Sequence, residues 1–301
     1  MNGLRYHHVD VFAREPFSGN GLAVFPDAGG VSARFMLRLT QELRQFESIF
    51  LAATADPCVF DARVFTVEEE LPFAGHPALG AGAVIHEMQA RGSDKAAFVL
   101  ALPAGRVRLD SERMGHGAYR VAMAQGFPTF GRVLRENEEA PFLDALGLEP
   151  EHRDGRLPLE VVSTGLPYLI VPVTPNGLAR ARIRAADLDG LLERIGAKFV
   201  YVFDAEGREG RTWDNDGAVE DVATGSAAGP TGAYLVRHRI IDAKQPFVIR
   251  QGRFVGRPSE MRVEVAGSAA VPASVTVAGD VQMVGTGIIE AALLPENAAI
   301  D

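Results

Sequence analysis

The residues with the clearest capacity for chemistry stand at the starts of two segments that predict helices. His76 follows Gly75, and Ser226 follows Gly225, each ahead of a run of small apolar residues. The N-terminus of an α-helix presents unpaired N–H groups and a partial positive charge, so it binds carboxylates readily. Both residues would also serve as simple helix caps, and it is their matched placement that favours an anion-binding function.

A glutamate and an aspartate add acid–base chemistry to this set. Glu47 lies directly before an apolar strand-like segment, residues 49–51, and Asp221 lies in the turn that leads to Gly225. A carboxyl group partly withdrawn from water can accept a proton and return it near neutrality. The plainer interpretations are an exposed glutamate at a strand edge and an aspartate that only shapes its turn.

The elements that must position these residues are mostly short strands in the first half of the chain. Strand-like runs bounded by Gly, Pro or Asp cover residues 8–12, 22–25, 49–52, 62–66 and 98–102. Ser32 suits the N-cap of a helix that runs to Leu43, because apolar residues recur there at helical spacing. A second helix is expected from Pro77 to about Gln89. Its residues are small and apolar on all sides, which predicts a helix that is buried all round.

The second half repeats this plan. Strand-like segments cover residues 160–163, 168–173, 199–203, 247–250, 261–265 and 274–277, and a helix of small residues follows Gly225. The stretch 127–154 is rich in Pro, Glu and charge and is expected to lie between two domains. We therefore predict an N-terminal lobe over residues 1–126, joined by the C-terminal segment near 285–301, and a C-terminal lobe over 127–284.

The two small-residue helices resemble each other at a constant offset of 150 residues. Four residues of the first segment recur in the second, namely Gly75, Ala78, Gly82 and Ala83 as Gly225, Ala228, Gly232 and Ala233. With a strand before and a helix after each segment, an internal duplication explains these matches better than chance. We expect two similar lobes, each a sheet curled around one apolar helix, with a cleft between them.

Composition limits the classes of partner and cofactor. The 301 residues carry a net charge of −9 without clusters of Lys and Arg, which argues against nucleic acid or an anionic membrane surface. The chain lacks the apolar core of a secretory signal and the run of about 18 apolar residues of a membrane span, so a cytoplasmic protein is expected. The single cysteine, Cys58, excludes an internal disulfide. No metal-ligand spacing or dinucleotide fingerprint appears, so neither a metal nor another cofactor is implied.

Longer motifs around these residues resemble the phenazine-biosynthesis (PhzF-like) family. Two turns are similar to its patterns F-A-G-H-P-T-L-G and E-D-P-A-T-G-S-A, and they read here Phe73-Ala74-Gly75-His76-Pro77 and Glu220-Asp221-Val222-Ala223-Thr224-Gly225-Ser226. Glu47-Ser48-Ile49-Phe50 resembles the family's S-E-T-x-F segment, and Gln251-Gly252 resembles its late Q-G segment. The matches fall in the expected order from residue 9 to residue 259.

The resemblance implies an α+β fold shared with diaminopimelate epimerase. Two pseudo-symmetric lobes, each a barrel-like mixed sheet around a central helix, would hold the active site between them. It also implies a cofactor-free isomerase that acts on a small carboxylate-bearing metabolite as a homodimer. By the same resemblance, Glu47 is the acid–base residue, and His76 and Asp221 complete the catalytic set. Substrate binding is assigned to Ser226, Gly75, Gly225 and Thr224.

Two observations separate this chain from related chemistries. Proline racemases and diaminopimelate epimerases use a pair of thiols, one from each lobe, and a chain with one cysteine cannot supply that pair. Val222, Phe46 and the Arg44-Gln45 pair depart from the family pattern next to the catalytic positions, which is compatible with a substrate other than the phenazine precursor. Two further functions stay open. One is an epimerase of an unusual amino acid that uses Glu47 and Asp221 on opposite faces, and the other is a non-catalytic binding protein that keeps the fold.

Overall fold

The computed structural model describes residues 3–185, 187–243, 245–290 and 293 and contains two compact units. Unit 1 runs to Ala124 and resumes at Ala278, and unit 2 is Gln125–Val277. Of the segment 285–301 that was expected to join the N-terminal lobe, residues 291, 292 and 294–301 lie outside the described part. None of the described helices is both long enough and apolar enough to cross a membrane.

Sixteen strands and six α-helices are assigned within the described residues. The strands are β1 (Leu4–Val11), β2 (Asn20–Phe25), β3 (Glu47–Ala53), β4 (Val59–Thr66), β5 (Glu70–Leu71), β6 (Lys95–Leu102), β7 (Gly105–Gly115), β8 (Ala118–Gly126), β9 (Thr129–Val133), β10 (Glu160–Ser163), β11 (Pro167–Pro172), β12 (Phe199–Asp204), β13 (Glu209–Arg211), β14 (Phe247–Gln251), β15 (Ser259–Gly267) and β16 (Pro272–Ile289). The helices are α1 (Ala33–Leu43), α2 (Gly75–Gln89), α3 (Ala140–Ala145), α4 (Pro175–Arg180), α5 (Leu188–Glu193) and α6 (Gly225–Arg237).

Eight strands of unit 1 close into a barrel. The order around the ring is β1, β2, β3, β4, β6, β7, β8 and β16, and β16 pairs with β1 from Leu4↔Ile289 to Val11↔Val281. Two neighbouring pairs, β2–β3 and β4–β6, run parallel. A closed ring leaves no sheet edge unpaired, and its inward side chains must fill the space around whatever lies inside.

Helix α2 fills that space, as its small apolar residues predict. Residues 75–86 are all buried, and the helix contacts β1, β2, β3, β6 and β7. A Cβ atom on Gly80 would lie 2.3 Å from Leu22 Cδ2, and one on Gly82 would lie 2.9 Å from Val121 Cγ1. Glycine is therefore needed where the strands approach the helix most closely. The helix begins at Gly75, two residues before the start at Pro77 that the proline favoured.

Helix α1 covers part of the barrel from outside. The predicted N-cap is confirmed, since the Ser32 side chain accepts a hydrogen bond from the Phe35 N–H at 3.4 Å. Met36 and Leu39 of α1 are buried in one apolar cluster with aromatic residues of the barrel strands. Among these aromatic residues, Phe25 and Phe50 stack with ring centroids 4.5 Å apart.

Unit 2 repeats the order of strand directions found in unit 1. Its strands follow one another as β9, β10, β11, β12, β13, β14 and β15, and β16 lies next to β15. Counted from β9, the third and fourth strands (β11 and β12) and the fifth and sixth strands (β13 and β14) are parallel. Counted from β16, the same places in unit 1 hold its parallel pairs, β2–β3 and β4–β6. The central helix of unit 2 follows the fifth strand of this count, β13, and that of unit 1 follows the fifth strand, β4, after the two-residue strand β5. The predicted α+β fold with two pseudo-symmetric lobes is confirmed.

Helix α6 is the counterpart of α2 and begins 150 residues after it, at Gly225. Every residue of α6 except Ser226 and Arg237 is buried. A Cβ atom on Gly232 would lie 2.5 Å from Val263 Cγ1 of β15, so glycine again permits close packing of strand on helix. The prediction that both central helices are buried is confirmed.

Residues 127–154 are not a linker between domains. They contain β9 and α3, and Leu134, Phe142 and Leu143 are buried in the core of unit 2 with Leu169 and Val171 of β11. The apolar residues of these short elements pack inward, and three polar residues of the stretch, Glu139, His152 and Asp154, are buried as well.

Candidate active site

Glu47 and His76 form a buried pair in unit 1. Glu47 is the first residue of β3 and is 7% exposed, and His76 is the second residue of α2 and is 6% exposed. The Nδ1 atom of His76 lies 3.0 Å from Oε2 of Glu47. Because α2 lies inside the barrel, its first turn meets the start of a barrel strand. The fold thus joins two acid–base groups that are far apart in sequence.

The second ring nitrogen of His76 distinguishes this pair from a purely structural contact. Among the described residues, His76 Nε2 is buried and meets no hydrogen-bond partner. With Nδ1 at Glu47, Nε2 can donate a hydrogen bond to a bound molecule or accept one from it, according to the tautomer. The side chain of Ala74, the N-cap residue, does not cap the helix. The first amides of α2, which have no intrahelical acceptor, therefore suit an anion.

Asp221 lies in the turn between β13 and α6 and is held by its neighbours. Its N–H donates to the Thr212 carbonyl oxygen at 3.0 Å, and its Oδ2 accepts from the Thr224 hydroxyl at 2.5 Å. The Ala223 N–H donates to Oδ1 at 3.4 Å. Thr224 Oγ1 in turn accepts from Gln251 Nε2 at 2.9 Å. Two predicted site residues, Asp221 and Thr224, are thus in direct contact.

A buried arginine anchors the chain just before Asp221. Arg211 donates two hydrogen bonds to the Glu220 carboxylate, at 2.9 and 2.6 Å. Its guanidinium carbon lies 4.7 Å from the ring centroid of Trp213 and 4.2 Å from that of Phe254. Bidentate pairing and stacking fix a side chain in both direction and distance. Trp213 is buried in the apolar cluster of unit 2 and is part of the packing that supports the Asp221 turn.

Ser226 occupies the same place in α6 that His76 occupies in α2. Its Oγ lies 2.7 Å from the Tyr168 hydroxyl, and the Gly225 carbonyl oxygen accepts from Gln125 Nε2 at 2.9 Å. The side chain of Thr224, the N-cap residue, does not cap the first turn of α6. When the Tyr168 hydroxyl donates, the Ser226 hydroxyl keeps its own hydrogen for a bound anion, beside the first helical amides.

The predicted site residues fall into two sets. Unit 1 holds Glu47, Gly75 and His76, and unit 2 holds Asp221, Thr224, Gly225 and Ser226. Sequence reasoning missed Tyr168 as a partner of Ser226, since nothing in its surroundings marks it. Gln251 was noted as part of a motif, but no role followed from that motif. No cluster of three or more His, Cys, Asp or Glu side chains suited to a metal ion occurs within the described ranges.

Cys58 is exposed and lies at the far end of β3 from Glu47. In the β3–β4 pairing, Glu47 opposes Thr66 and Ala53 opposes Phe60, which puts Cys58 about 20 Å from the glutamate. We therefore expect alkylation with iodoacetamide to leave turnover unchanged. Turnover before and after labelling checks this, and the Cys58→Ser variant controls for reaction elsewhere. Loss of turnover in the Cys58 protein alone, with the fold intact, would favour a cysteine mechanism.

The chain has relatives in sequence and in fold. A sequence profile of the family described as phenazine biosynthesis-like protein (PhzC-PhzF) matches residues 9–287. The trans-2,3-dihydro-3-hydroxyanthranilate isomerase of Pseudomonas aeruginosa is 34% identical over 279 residues, which cover 92% of this chain and 95% of that protein.

Solved structures extend the likeness to the fold. A predicted epimerase from Pseudomonas aeruginosa is 48% identical with a TM-score of 0.88, over 95% of this chain and 99% of that one. A hydroxyproline epimerase from Agrobacterium vitis shares the fold at 15% identity, with a TM-score of 0.59 over 100% of this chain and 97% of that one. The chain belongs to the phenazine biosynthesis-like (PhzF) family and is an enzyme, an isomerase of the PhzF type.

Proposed function

We propose that this isomerase moves a proton between carbon atoms of a small carboxylate-bearing metabolite without a cofactor, and that Glu47 carries the proton. The observation that carries the proposal is the buried Glu47–His76 pair, with 3.0 Å between Oε2 and Nδ1. As a carboxylate, Glu47 removes a proton from one carbon and leaves its electron pair on the substrate. As the carboxylic acid, it returns the proton to another carbon, so one C–H bond breaks and one forms.

His76 orients the glutamate in this scheme. Its Nδ1–H donates to Glu47 Oε2, which fixes the direction of the carboxylate and leaves Oε1 for the substrate proton. The buried Nε2 atom then faces the substrate as a hydrogen-bond acceptor, or as a donor when the ring is protonated. The backbone of β3 and α2 holds the carboxylate and the ring in place while the proton moves.

Ser226 and the first turn of α6 bind the substrate's carboxylate in this proposal. The Ser226 hydroxyl and the first amides of α6 provide donors, and the positive end of the helix dipole adds attraction for an anion. Tyr168 supports this role, since its hydroxyl lies 2.7 Å from Ser226 Oγ. Asp221 orients the substrate or shares its proton.

One relative supports the proposed substrate class. The relative named for trans-2,3-dihydro-3-hydroxyanthranilate acts on an anthranilate, which bears a carboxylate, and others are named as isomerases. We keep the class and not the compound, because Phe46 and Val222 adjoin the catalytic positions and differ from the family pattern. Phe46 is 47% exposed, so a change of residue type at this position costs little packing energy.

Exchange with heavy water tests the proposal without a guess about the product. A panel of small carboxylic acids, including trans-2,3-dihydro-3-hydroxyanthranilate, is incubated with the enzyme in D₂O and followed by proton NMR. We expect loss of one C–H signal in an accepted acid, with deuterium at carbon in the product, also after treatment with a metal chelator. A product in which that carbon keeps its original hydrogen would contradict a proton shift through Glu47.

An epimerase is the second candidate, and one observation favours it. The 48% identical structure is that of a predicted epimerase. In this alternative Glu47 and Asp221 act on opposite faces of one carbon, one removing the proton and the other returning it. The stereochemistry of the labelled product separates the two functions. An epimer with unchanged connectivity indicates epimerisation, and a shifted double bond indicates isomerisation.

A further inference from the structure

A buried glutamine connects the Asp221 turn to the first residue before α6. Gln251 is the last residue of β14 and is 1% exposed. Its Nε2 donates to the Asp221 carbonyl oxygen at 2.8 Å and to Thr224 Oγ1 at 2.9 Å. Its Oε1 accepts from the Thr224 N–H at 3.3 Å and from the Tyr201 hydroxyl at 3.1 Å. One side chain thus satisfies four groups around the aspartate.

The main chain fixes which end of the amide is nitrogen. A backbone carbonyl can only accept, so the atom facing the Asp221 carbonyl must be Nε2. A backbone N–H can only donate, so the atom facing the Thr224 amide must be Oε1. These two contacts exclude the flipped amide, whose orientation would otherwise be ambiguous. The direction of the remaining hydrogen bonds follows from this orientation.

The hydroxyl of Thr224 has one hydrogen to give. Gln251 Nε2 donates to its oxygen, and Asp221 Oδ2 lies 2.5 Å away on the other side. When the hydroxyl donates to Oδ2, the Gln251 amide, the Thr224 hydroxyl and Asp221 Oδ2 each have a hydrogen-bond partner. If Oδ2 carried a proton and donated instead, none of the described contacts of Thr224 would take the hydroxyl hydrogen. Thr224 is 8% exposed, so that arrangement would leave a buried donor unsatisfied.

The other end of this hydrogen-bond chain, at Tyr201 and Gln251, is also fixed. Burial raises the pKa of Tyr201 well above its usual value, and the nearby Asp221 carboxylate adds to this, so the hydroxyl remains a donor. Gly252 follows Gln251 with φ 84°, and a Cβ there would lie 2.6 Å from the Val222 carbonyl oxygen. A glycine is therefore needed for the end of β14 to approach the Asp221 turn, which gives a physical reason for the Gln-Gly pair.

We propose that Thr224 and Gln251 are positioning residues for Asp221. The hydrogen-bond chain Tyr201–Gln251–Thr224–Asp221 holds Oδ2 as the acceptor of the Thr224 hydroxyl and thereby fixes the direction of the carboxylate. The inference rests on the proposed function in one respect, namely that Asp221 belongs to the active site. It gives Thr224 a role through Asp221 in place of direct contact with substrate.

Substitutions at Thr224 test the functional consequence, with an acid from the heavy-water panel that the wild-type enzyme labels. Thr224→Val keeps the shape and removes the hydroxyl, and we expect kcat to fall by about tenfold or more with little change in KM. Thr224→Ser keeps the hydroxyl and should restore kcat. If both variants lose kcat equally, or Thr224→Val keeps it, the positioning role is wrong. Gln251→Met, which lacks the donor, should match Thr224→Val.

Asp221→Asn separates the positioning role of Thr224 from the place of Asp221 in the active site. Loss of turnover in Asp221→Asn with normal turnover in Thr224→Val overturns the positioning role alone. Normal turnover in Asp221→Asn removes Asp221 from the active site, and the inference falls with it. Thermal unfolding of each variant identifies any loss of turnover that comes from loss of the fold.

Neutron diffraction from crystals of the wild-type enzyme grown in heavy water tests the chain without a substrate. We expect deuterium on Thr224 Oγ1 directed at Asp221 Oδ2, and deuterium on Gln251 Nε2 directed at Thr224 Oγ1. Deuterium bound to Asp221 Oδ2, or a Gln251 amide in the flipped orientation, would overturn the inference. Neither result bears on the role of Glu47.

Discussion

Replacement of Glu47 by glutamine should lower kcat by about 10²–10⁴-fold, which is what positioned acid–base catalysis contributes. Glutamine nearly keeps the volume and hydrogen-bonding shape of glutamate, but its amide cannot take up and return a proton in the same way. Substrate affinity should change little, because the amides at the start of α6 and the Ser226 hydroxyl are untouched. Steady-state kinetics should therefore show lower kcat with KM close to that of the wild type.

A matched substitution controls for the general effect of losing a carboxylate. Glu68 is exposed in the turn after β4, and Glu68→Gln removes the same charge without removing a buried acid–base group. We expect normal kcat for that variant. If Glu47→Gln keeps wild-type kcat, the proton carrier is another residue, and Asp221 and His76 are the next candidates.

Truncation of Leu79 to alanine should lower the free energy of unfolding by about 2–5 kcal/mol, the range for a large buried aliphatic side chain. Leu79 is the fifth residue of α2 and is 0% exposed. The barrel is closed around the helix, so its strands cannot collapse fully into the space that the truncation leaves. Urea-induced unfolding followed by circular dichroism measures the change.

Met88 on the same helix provides the control for Leu79. It lies near the C-terminal end of α2 and is 51% exposed, so Met88→Ala removes a side chain of similar size from a half-exposed position. We expect it to cost about 1 kcal/mol or less. Equal losses at the two positions would mean that α2 is not enclosed by the barrel in solution.

The central helices were predictable from the sequence because their residue types indicate directly that they are buried. Small apolar residues on every side of α2 are compatible only with burial all round, and the matching residues of α6 indicated a second copy. The eighteen-residue strand β16 was seen only at residues 274–277. Its later part, from residue 282, has no buried residue and carries Gly285 and Gly287, which weaken a strand signal. β7 was missed for a similar reason, since charged residues alternate along it.

The residues of the candidate site could be proposed from the sequence, but the contacts between them could not. Motif likeness named Glu47 and His76, and the closed barrel then explains why the start of β3 meets the start of α2. The link from Gln251 to Asp221 joins elements 30 residues apart, and no local pattern encodes it. Tyr168 comes from a strand 58 residues before Ser226. Contacts of this kind depend on how the strands pair, which a single sequence specifies only weakly.

The most direct test of the central claim is the rate at which Glu47→Gln incorporates solvent deuterium into an acid that the wild-type enzyme labels. Proton NMR in D₂O reports the exchange at carbon, and it does so whether the reaction ends in an isomer or an epimer. If Glu47 carries the proton, the variant should bind the acid and exchange its C–H hydrogen at least about 10²-fold more slowly than the wild type. Exchange at the wild-type rate, with the acid bound, would contradict the claim.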